Sequence, residues 1–311
     1  MKVIYKNRSY NLPDFLIVGA AKSGTTSLHY YMKDIENIFL PEIKESYFFS
    51  FFSSPPNFTS PDPLFDIITD LHEYSDQYPN DFKGFSGDAS PSYLYAYEKT
   101  IANIKEIYGD RHKELKIIIL LRNPVERAWS QYMHFKKNYN EPLEFSEAIT
   151  CKTIEKRLAN NWNYFYDYIG FGKYSNQIKA YQSEFEHVKI FLFDELKKDT
   201  ALVLNETLKF ISGKEEQIIV DTEEVFNISG VPKRNIYSLV WRLKKIKGLQ
   251  SVIRKITPPK LKNQVNNFML SKSLQRVKVS DTDRQNLNVI YKEEITELKS
   301  LIKNPEIENW L

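Results

Sequence analysis

The amino-acid sequence predicts an α/β fold in which a parallel sheet is flanked by helices, and three observations support this. Continuous apolar runs occur at 15–18, 115–121 and 188–196. Helical patterns alternate with these runs, and a glycine-containing loop directly follows the first run. Uninterrupted apolar strands are typical of parallel sheets covered on both faces. We expect the ligand of such a sheet at the carboxyl ends of its strands.

Each apolar run is joined to a segment with a helical pattern. The first leads through Gly19 and Gly24 into a helix predicted over 26–35. The second precedes a helix that begins at Pro124, because proline is favoured in the first helical turn. The third follows a helical pattern that starts at Tyr174. This alternation predicts a doubly wound sheet.

The domain organisation is predicted to be a single domain over 1–311. Residues 50–80 are rich in Pro, Ser, Asp and Phe, which predicts a long ordered loop. Internal repeats and low-complexity tracts are absent from the sequence. A chain of 311 residues is long enough for one large domain or two modest ones, and no linker between two cores is evident.

Positive charge is concentrated in the segment 225–280. It contains 13 Lys and Arg residues and no Asp or Glu, so the rest of the chain carries a net charge of −10 although the whole chain carries +3. Apolar residues within 236–249 fall on one helical face, with basic residues opposite. This segment, 236–279 in particular, either contacts a membrane surface or an acidic polymer, or packs on the sheet with a solvated basic face.

The cysteine count and the apolar segments indicate a cytoplasmic setting. Cys151 is the only cysteine, which excludes disulfide scaffolds and cysteine-based metal sites. The N-terminus lacks the apolar centre of a signal peptide, and no run approaches about 18 apolar residues. No metal-ligand cluster is evident, so we expect no metal cofactor. We also expect no nucleic-acid partner.

The loop "GAAKSGTTS" resembles a phosphate-binding P-loop with a displaced lysine. A Walker A loop places lysine directly after its second glycine. Here Thr25 occupies that position and Lys22 lies three residues earlier. A turn that leads into a helix still presents backbone N–H groups to an anion. The predicted anion-binding residues are Lys22, Ser23, Gly24, Thr25, Thr26 and Ser27.

A second anion site is predicted after the second strand. Arg122 directly follows the apolar run, and Ser130 lies about two helical turns beyond Pro124. Ser130 can therefore face back toward the strand end. Arginine and a hydroxyl group together suit a phosphate group.

These two motifs, "KSGTTSL" and "LRNPVERAWSQY", resemble those of sulfotransferases that use 3′-phosphoadenosine 5′-phosphosulfate (PAPS). The pattern is nearest to bacterial carbohydrate-type enzymes and to the sulfotransferase domains that modify heparan sulfate. The blocks "LPEIKESYFFS", "GDASPSYLY" and "NISGVPKRN" extend the resemblance. It implies the three-layer sulfotransferase fold and metal-independent, in-line transfer of a sulfuryl group from PAPS to a hydroxyl of a carbohydrate or glycoconjugate.

The resemblance also implies roles for individual residues. Lys22 would contact the bridging oxygen and stabilise the leaving phosphate, and Ser23 through Ser27 would hold the 5′-phosphosulfate. Arg122 and Ser130 would bind the 3′-phosphate. Lys233 and Arg234 would close over that same phosphate.

Glu45 is the predicted general base, because it stands three residues before Phe48 as in glycosaminoglycan-type enzymes. The alternatives are that Glu45 is paired with Lys44 or exposed, and that Asp88 is the base. Tyr174 falls in a block near the adenosine of relatives, and His134 is interpreted as structural.

Two other functional classes remain open from the sequence. One is a P-loop kinase or NTPase, which the threonine in the lysine position disfavours. The other is a non-catalytic protein that binds anions or polysaccharide through its basic segment. Acceptor identity and oligomeric state cannot be inferred from the sequence.

Overall fold

The structure is a computed structural model that describes residues 1–62, 64, 67–214, 231–232, 274–275 and 277–311. Its strands are β1 (Lys2–Tyr5), β2 (Arg8–Asn11), β3 (Phe15–Gly19), β4 (Ile38–Phe39), β5 (Phe85–Ala89), β6 (Lys116–Leu121), β7 (His187–Leu192), β8 (Val231–Pro232) and β9 (Leu274–Gln275). β4, β5, β3, β6 and β7 form one parallel sheet in that order. The remaining strands form two antiparallel pairs, β1 with β2 and β8 with β9.

Helices cover this sheet and connect its strands. They are α1 (Thr25–Lys33), α2 (Phe48–Phe51), α3 (Leu71–Ser75), α4 (Ser92–Tyr95), α5 (Tyr97–Tyr108), α6 (Pro124–Lys137), α7 (Phe145–Ala148), α8 (Cys151–Ala159), α9 (Tyr174–Glu184), α10 (Phe193–Lys198), α11 (Thr200–Ser212) and α12 (Asp281–Leu301). Short 3-10 helices lie at Gly109–Glu114, Tyr164–Tyr166, Gly170–Gly172 and Pro305–Trp310. The predicted α/β class, a parallel sheet flanked by helices, is confirmed.

β6 shows why the strands were recognisable as continuous apolar runs. Ile117, Ile119 and Leu121 belong to the hydrophobic core on one face of the sheet. Ile118 and Leu120 belong to the core on the other face, and all five side chains are fully buried. Because successive side chains of a strand point to opposite faces, a strand covered on both faces is apolar throughout.

The predicted length of the third strand is wrong. The apolar run 188–196 is a strand only as far as Leu192, and α10 begins at Phe193. The Glu195 side chain accepts a hydrogen bond from the Leu192 backbone N–H at 2.7 Å. This contact satisfies a free N–H group at the start of the helix, which ends the strand there.

The predicted loop 50–80 is also partly wrong, because it contains the helix α3. Asp70 caps this helix by accepting a hydrogen bond from the Glu73 N–H at 3.0 Å. Leu71 and Tyr74 are buried in the core on one face of the sheet. The basic segment 225–280, by contrast, lies almost entirely outside the described residues.

Candidate active site

A cavity of about 1010 Å³ opens at the carboxyl edge of the sheet, where the ligand was expected. Each strand of the parallel sheet contributes to it through the chain that follows the strand. Lys22 comes after β3, Glu45 after β4, Pro91 after β5, Arg122 after β6 and Phe193 after β7. The fold therefore brings residues that are distant in sequence to one cavity.

The anion-binding loop (20–27) is shaped by Gly24. This residue has a φ of 93°, in the left-handed region that favours glycine. A Cβ atom here would lie 2.8 Å from Leu196 and 2.9 Å from Phe193, both on α10. Glycine is therefore required both by the backbone turn and by the close approach of α10.

Thr25, Thr26 and Ser27, the first three residues of α1, all line the cavity. No side chain caps this helix. The first N–H groups of a helix have no intrahelical acceptor and carry the positive end of the helix dipole. Ser23 differs from the prediction: its side chain is fully buried away from the lining, and its N–H donates to the Ala20 carbonyl at 3.2 Å.

Lys22 projects into the cavity from the tip of this loop. Its φ of 69° is unusual for a residue with a side chain. Burial lowers the pKa of Lys22 to about 8, and the charge of Arg122 acts in the same direction. The Lys22 carbonyl accepts a hydrogen bond from Arg122 Nη1 at 3.1 Å, which fixes the loop to the end of β6.

His134 is a cavity residue for which the sequence alone favoured a structural role. Its Nδ1 lies 3.5 Å from Lys22 Nζ. The Lys22 charge and, second, desolvation by the cavity walls lower the pKa of His134 to about 3, so the ring is neutral at neutral pH. A useful signal was present in the sequence, since His134 is four residues after Ser130 on the same helix face.

Arg122 and Ser130 lie in the same cavity, as predicted from the second motif. Asn123 caps α6 by accepting a hydrogen bond from the Val125 N–H at 3.0 Å, and Pro124 occupies the first helical position. The Arg122 guanidinium lies 4.8 Å from the centre of the Phe193 ring, while burial lowers the pKa of this arginine. We call this part of the cavity the arginine end.

Glu45 lines the cavity and is also paired with Lys44, as one of the alternatives drawn from the sequence expected. Lys44 Nζ donates to Oε1, and Tyr47 donates its hydroxyl to Oε2 at 3.0 Å. Burial acts to raise the pKa of Glu45, but Lys44 and Tyr47 outweigh it and the pKa is lowered. Glu45 is therefore ionised at neutral pH and held in place from both oxygens.

Asp88, the other candidate base, lies outside the cavity lining. Its carboxylate is buried and accepts hydrogen bonds from Tyr74 at 2.9 Å and Tyr93 at 2.7 Å, and from Ser46 and Ser90 at 3.2 Å each. Burial raises the pKa of Asp88, although these hydrogen bonds oppose the shift. The surroundings indicate a structural role.

Tyr174 is likewise outside the lining and fully buried. Its hydroxyl donates to the Arg122 carbonyl at 3.0 Å, so Tyr174 helps to hold the backbone of Arg122 in place. Lys233 and Arg234 lie outside the described residues.

Another part of the cavity lining, which we call the aromatic end, consists of apolar and ring-bearing side chains. Its aromatic residues are Tyr47, Phe135 and Phe165, and Met133 and Pro91 also belong to it. Aromatic faces combined with a few polar groups suit the partly apolar faces of sugars.

The parallel sheet, the anion-binding loop and the arginine end together define an α/β protein of the P-loop-like class. In this class a helix N-terminus and basic side chains suit an anionic co-substrate. Within the described residues, no group of three or more His, Cys, Asp or Glu side chains is arranged to hold a metal ion. No helix of the described part of the chain has the length and apolar character needed to cross a membrane.

Comparison with known proteins finds similarity to sulfotransferases. The family model of the sulfotransferase domain matches residues 109–257. The solved structure of a sulfotransferase from Alicyclobacillus acidocaldarius has a TM-score of 0.71 and 26% identity, covering 96% of this chain and 98% of that one. The chain is therefore similar to sulfotransferases in fold along nearly its whole length and in sequence over the matched domain.

Two curated relatives match parts of the chain. The membrane-associated sulfotransferase kil1 of Dictyostelium discoideum is 32% identical over 141 residues, or 43% of this chain and 26% of that protein. The bifunctional heparan sulfate N-deacetylase/N-sulfotransferase 4 of Mus musculus is 26% identical over 236 residues, or 65% and 22%. The matches thus span about a quarter of the length of these relatives.

Proposed function

We propose that this protein transfers a sulfuryl group from PAPS to a hydroxyl group of a carbohydrate or glycoconjugate, without a metal ion. The observation that carries the proposal is the convergence of three groups in one cavity. These are the anion-binding loop with Lys22, the Arg122–Ser130 pair and the carboxylate of Glu45. The similarity to sulfotransferases supports the reaction type.

The residues present fit a donor with two separate anionic groups. The N–H groups at the start of α1 and Lys22 suit one group, and Arg122 with Ser130 suits the other. ATP has no anionic group at its 3′ position and would leave the second site empty. This favours PAPS over the substrate of a P-loop kinase or NTPase.

PAPS, when bound, supplies an activated sulfuryl group with adenosine 3′,5′-bisphosphate (PAP) as its leaving group. Negative charge grows on the leaving phosphate during transfer, and Lys22 and the N–H groups of the loop can stabilise it. These donors are fixed beforehand by the helix and by the Arg122 contact to the loop. Preorganised donors of this kind are a major source of catalysis.

The attacking hydroxyl must lose a proton, and Glu45 is an ionised carboxylate in the cavity that can accept it. Tyr47 and Lys44 hold its two oxygens, which fixes the direction from which the hydroxyl can approach. A positioned carboxylate is a common general base for sugar hydroxyls.

A carbohydrate acceptor is supported by the aromatic end and by the name of the mouse relative, which refers to heparan sulfate. Contact of the segment 236–279 with a membrane or an acidic polymer stays a prediction, because this segment lies almost entirely outside the described residues.

PAP is expected to stabilise the protein against heat in a buffer that contains EDTA, whereas Mg-ATP in the absence of EDTA is not. A ligand at about 100 times its Kd stabilises a folded protein by about 2.7 kcal/mol, enough to raise Tm by several degrees. The melting curve can be followed by differential scanning fluorimetry. A shift with Mg-ATP but none with PAP would contradict the proposed donor.

Replacing Arg122 with alanine is expected to weaken PAP binding by about 10- to 100-fold, because charge-assisted hydrogen bonds to the phosphate are lost. The effect on kcat at saturating PAPS should be much smaller. Isothermal titration calorimetry measures the first quantity. Arg111→Ala is a matched control, since Arg111 is paired with Glu114 on the surface and lies outside the cavity. Equal Kd values for both variants would exclude Arg122 from the phosphate site.

A further inference from the structure

The arginine end contains a carboxylate where a phosphate site would not be expected to have one. Glu126 lies on α6 midway between Arg122 and Ser130, at four-residue spacing from each, and all three line the cavity. Residues four apart on a helix are neighbours on one face. A negative charge at this point opposes the binding of a phosphate group beside it.

Arg284 neutralises this carboxylate from a different part of the chain. It lies in the first turns of α12 and pairs through Nη2 with Glu126 Oε1. The other oxygen, Oε2, lies 4.0 Å from Arg122 Nη2. Glu126 is therefore placed between two arginines, and Arg284 itself lines the cavity.

The position of Arg284 is fixed by the packing of α12. Ser280 caps this helix by accepting a hydrogen bond from the Asp283 N–H at 3.1 Å. Further along, Tyr291 is fully buried and donates its hydroxyl to the Ile169 carbonyl at 3.0 Å. The chain just before the helix is held on α6, because Trp129 Nε1 donates to the Val277 carbonyl at 2.9 Å. The helix can therefore present its arginine at a defined place.

The ion pair between Arg284 and Glu126 is weak enough for a phosphate group to replace Glu126 as the partner of Arg284. The two side chains are 37% and 36% exposed, and ion pairs with this much solvent contact are weak. A phosphate dianion is a stronger partner for a guanidinium than a single carboxylate is, because it offers more charge and more acceptor oxygens. A phosphate at the arginine end would thus compete well for Arg284.

We propose that Arg284 is a further cofactor-binding residue, which pairs with Glu126 in the free protein and contacts the 3′-phosphate when PAPS or PAP is bound. The inference rests on the proposed function, since it requires PAPS as the donor. It assigns to α12 a direct role in recognising the phosphate that distinguishes PAPS from adenosine 5′-phosphosulfate. Glu126 acts in the opposite direction and lowers the affinity for any anion that fails to displace it.

The experiment compares the Kd values of PAP and AMP by isothermal titration calorimetry. AMP lacks the 3′-phosphate and reports on the rest of the site. The variants are Arg284→Gln and Glu126→Gln. Lys299→Gln is the control, because Lys299 lies on the same helix, pairs with Glu308 and is outside the cavity lining.

Arg284→Gln is expected to weaken PAP binding by about tenfold and to leave AMP binding unchanged, which corresponds to one charge-assisted contact. Glu126→Gln is expected to strengthen PAP binding several-fold, since it removes a competing carboxylate. The control should match the wild type for both ligands.

The two substitutions are expected to change PAP affinity in opposite directions. An ion pair with only a structural role would not give this result. If both substitutions weaken PAP and AMP binding alike, or if Arg284→Gln leaves PAP binding unchanged, the proposal is overturned. Failure of the wild-type protein to bind PAP would overturn the proposed function and this inference with it. Normal PAP binding with an unaffected Arg284→Gln variant would overturn this inference alone.

Discussion

Replacing Lys22 with methionine is expected to lower kcat/KM for PAPS by at least about 100-fold. Removal of one preorganised donor to a developing negative charge costs roughly 10²- to 10³-fold in other enzymes. Methionine keeps the length of the side chain and removes its charge. Because burial disfavours the Lys22 charge, as its lowered pKa of about 8 shows, the variant should also melt at an equal or higher temperature. Initial rates and melting curves test both statements.

The pH dependence of the reaction gives a second test of Lys22. The ammonium form is the active one and is populated below its pKa, so kcat/KM should fall as the pH rises through about 8. In Lys22→Arg the charge persists at all accessible pH values, and the decline near pH 8 should disappear even if the rate is lower. A Lys22→Met variant that keeps more than half of the wild-type rate would contradict the assignment.

Replacing Glu45 with glutamine is expected to reduce kcat by about 10²- to 10⁴-fold with little change in the Kd of PAP, because the amide cannot accept the proton of the acceptor. Both Lys44 and Tyr47 lose a carboxylate partner, so Tm should be checked in parallel. The measurement is single-turnover transfer to whichever carbohydrate proves to be an acceptor. Full activity of this variant would show that another group is the base.

Asp88→Asn is the matched comparison for the base assignment. Asp88 accepts hydrogen bonds from four buried hydroxyl groups, two of them from Tyr74 and Tyr93. An amide presents N–H donors to some of these hydroxyls and leaves buried groups unsatisfied. The free energy of unfolding should fall by about 2–4 kcal/mol. The chemical step should be largely retained at a temperature at which the variant is folded.

The sequence was informative where each residue was dictated by its own local surroundings. β6 is buried on both faces, so its residues form a continuous apolar run that predicts the strand and places Arg122 at its end. Pro124 predicted the start of α6 and, with it, the direction of Ser130. The alternation of strands and helices then placed the anion-binding loop at the same edge of the sheet.

Features that depend on tertiary contacts were missed. β5 reads "FSGDA", with neither a continuous apolar run nor a simple alternation. At Gly87 the space of a side chain is filled by the Phe15 ring of the neighbouring strand, and Asp88 is tolerated because four hydroxyls donate to it. Neither partner is adjacent in sequence, so no local pattern indicates the strand.

The same reason explains why the sequence assigned no site role to His134 or Arg284, two of the residues that line the cavity. His134 becomes part of the site only because the loop places Lys22 next to it, 112 residues away in the chain. Arg284 enters the cavity only because α12 returns to pack beside α6, where it meets Glu126. Spacing along α6 could have suggested His134, whereas nothing local to α12 indicates Arg284.

The central claim is sulfuryl transfer from PAPS to a carbohydrate hydroxyl, and transfer of radioactive sulfur tests it most directly. The protein is incubated with [³⁵S]PAPS and a panel of neutral and acidic polysaccharides, and polymer-bound label is measured together with released PAP. The predicted result is label in at least one polysaccharide, with one PAP formed per sulfate transferred and both signals lost in Lys22→Met. Binding of PAPS with no label in any carbohydrate, or transfer of phosphate from [γ-³²P]ATP in its place, would contradict it.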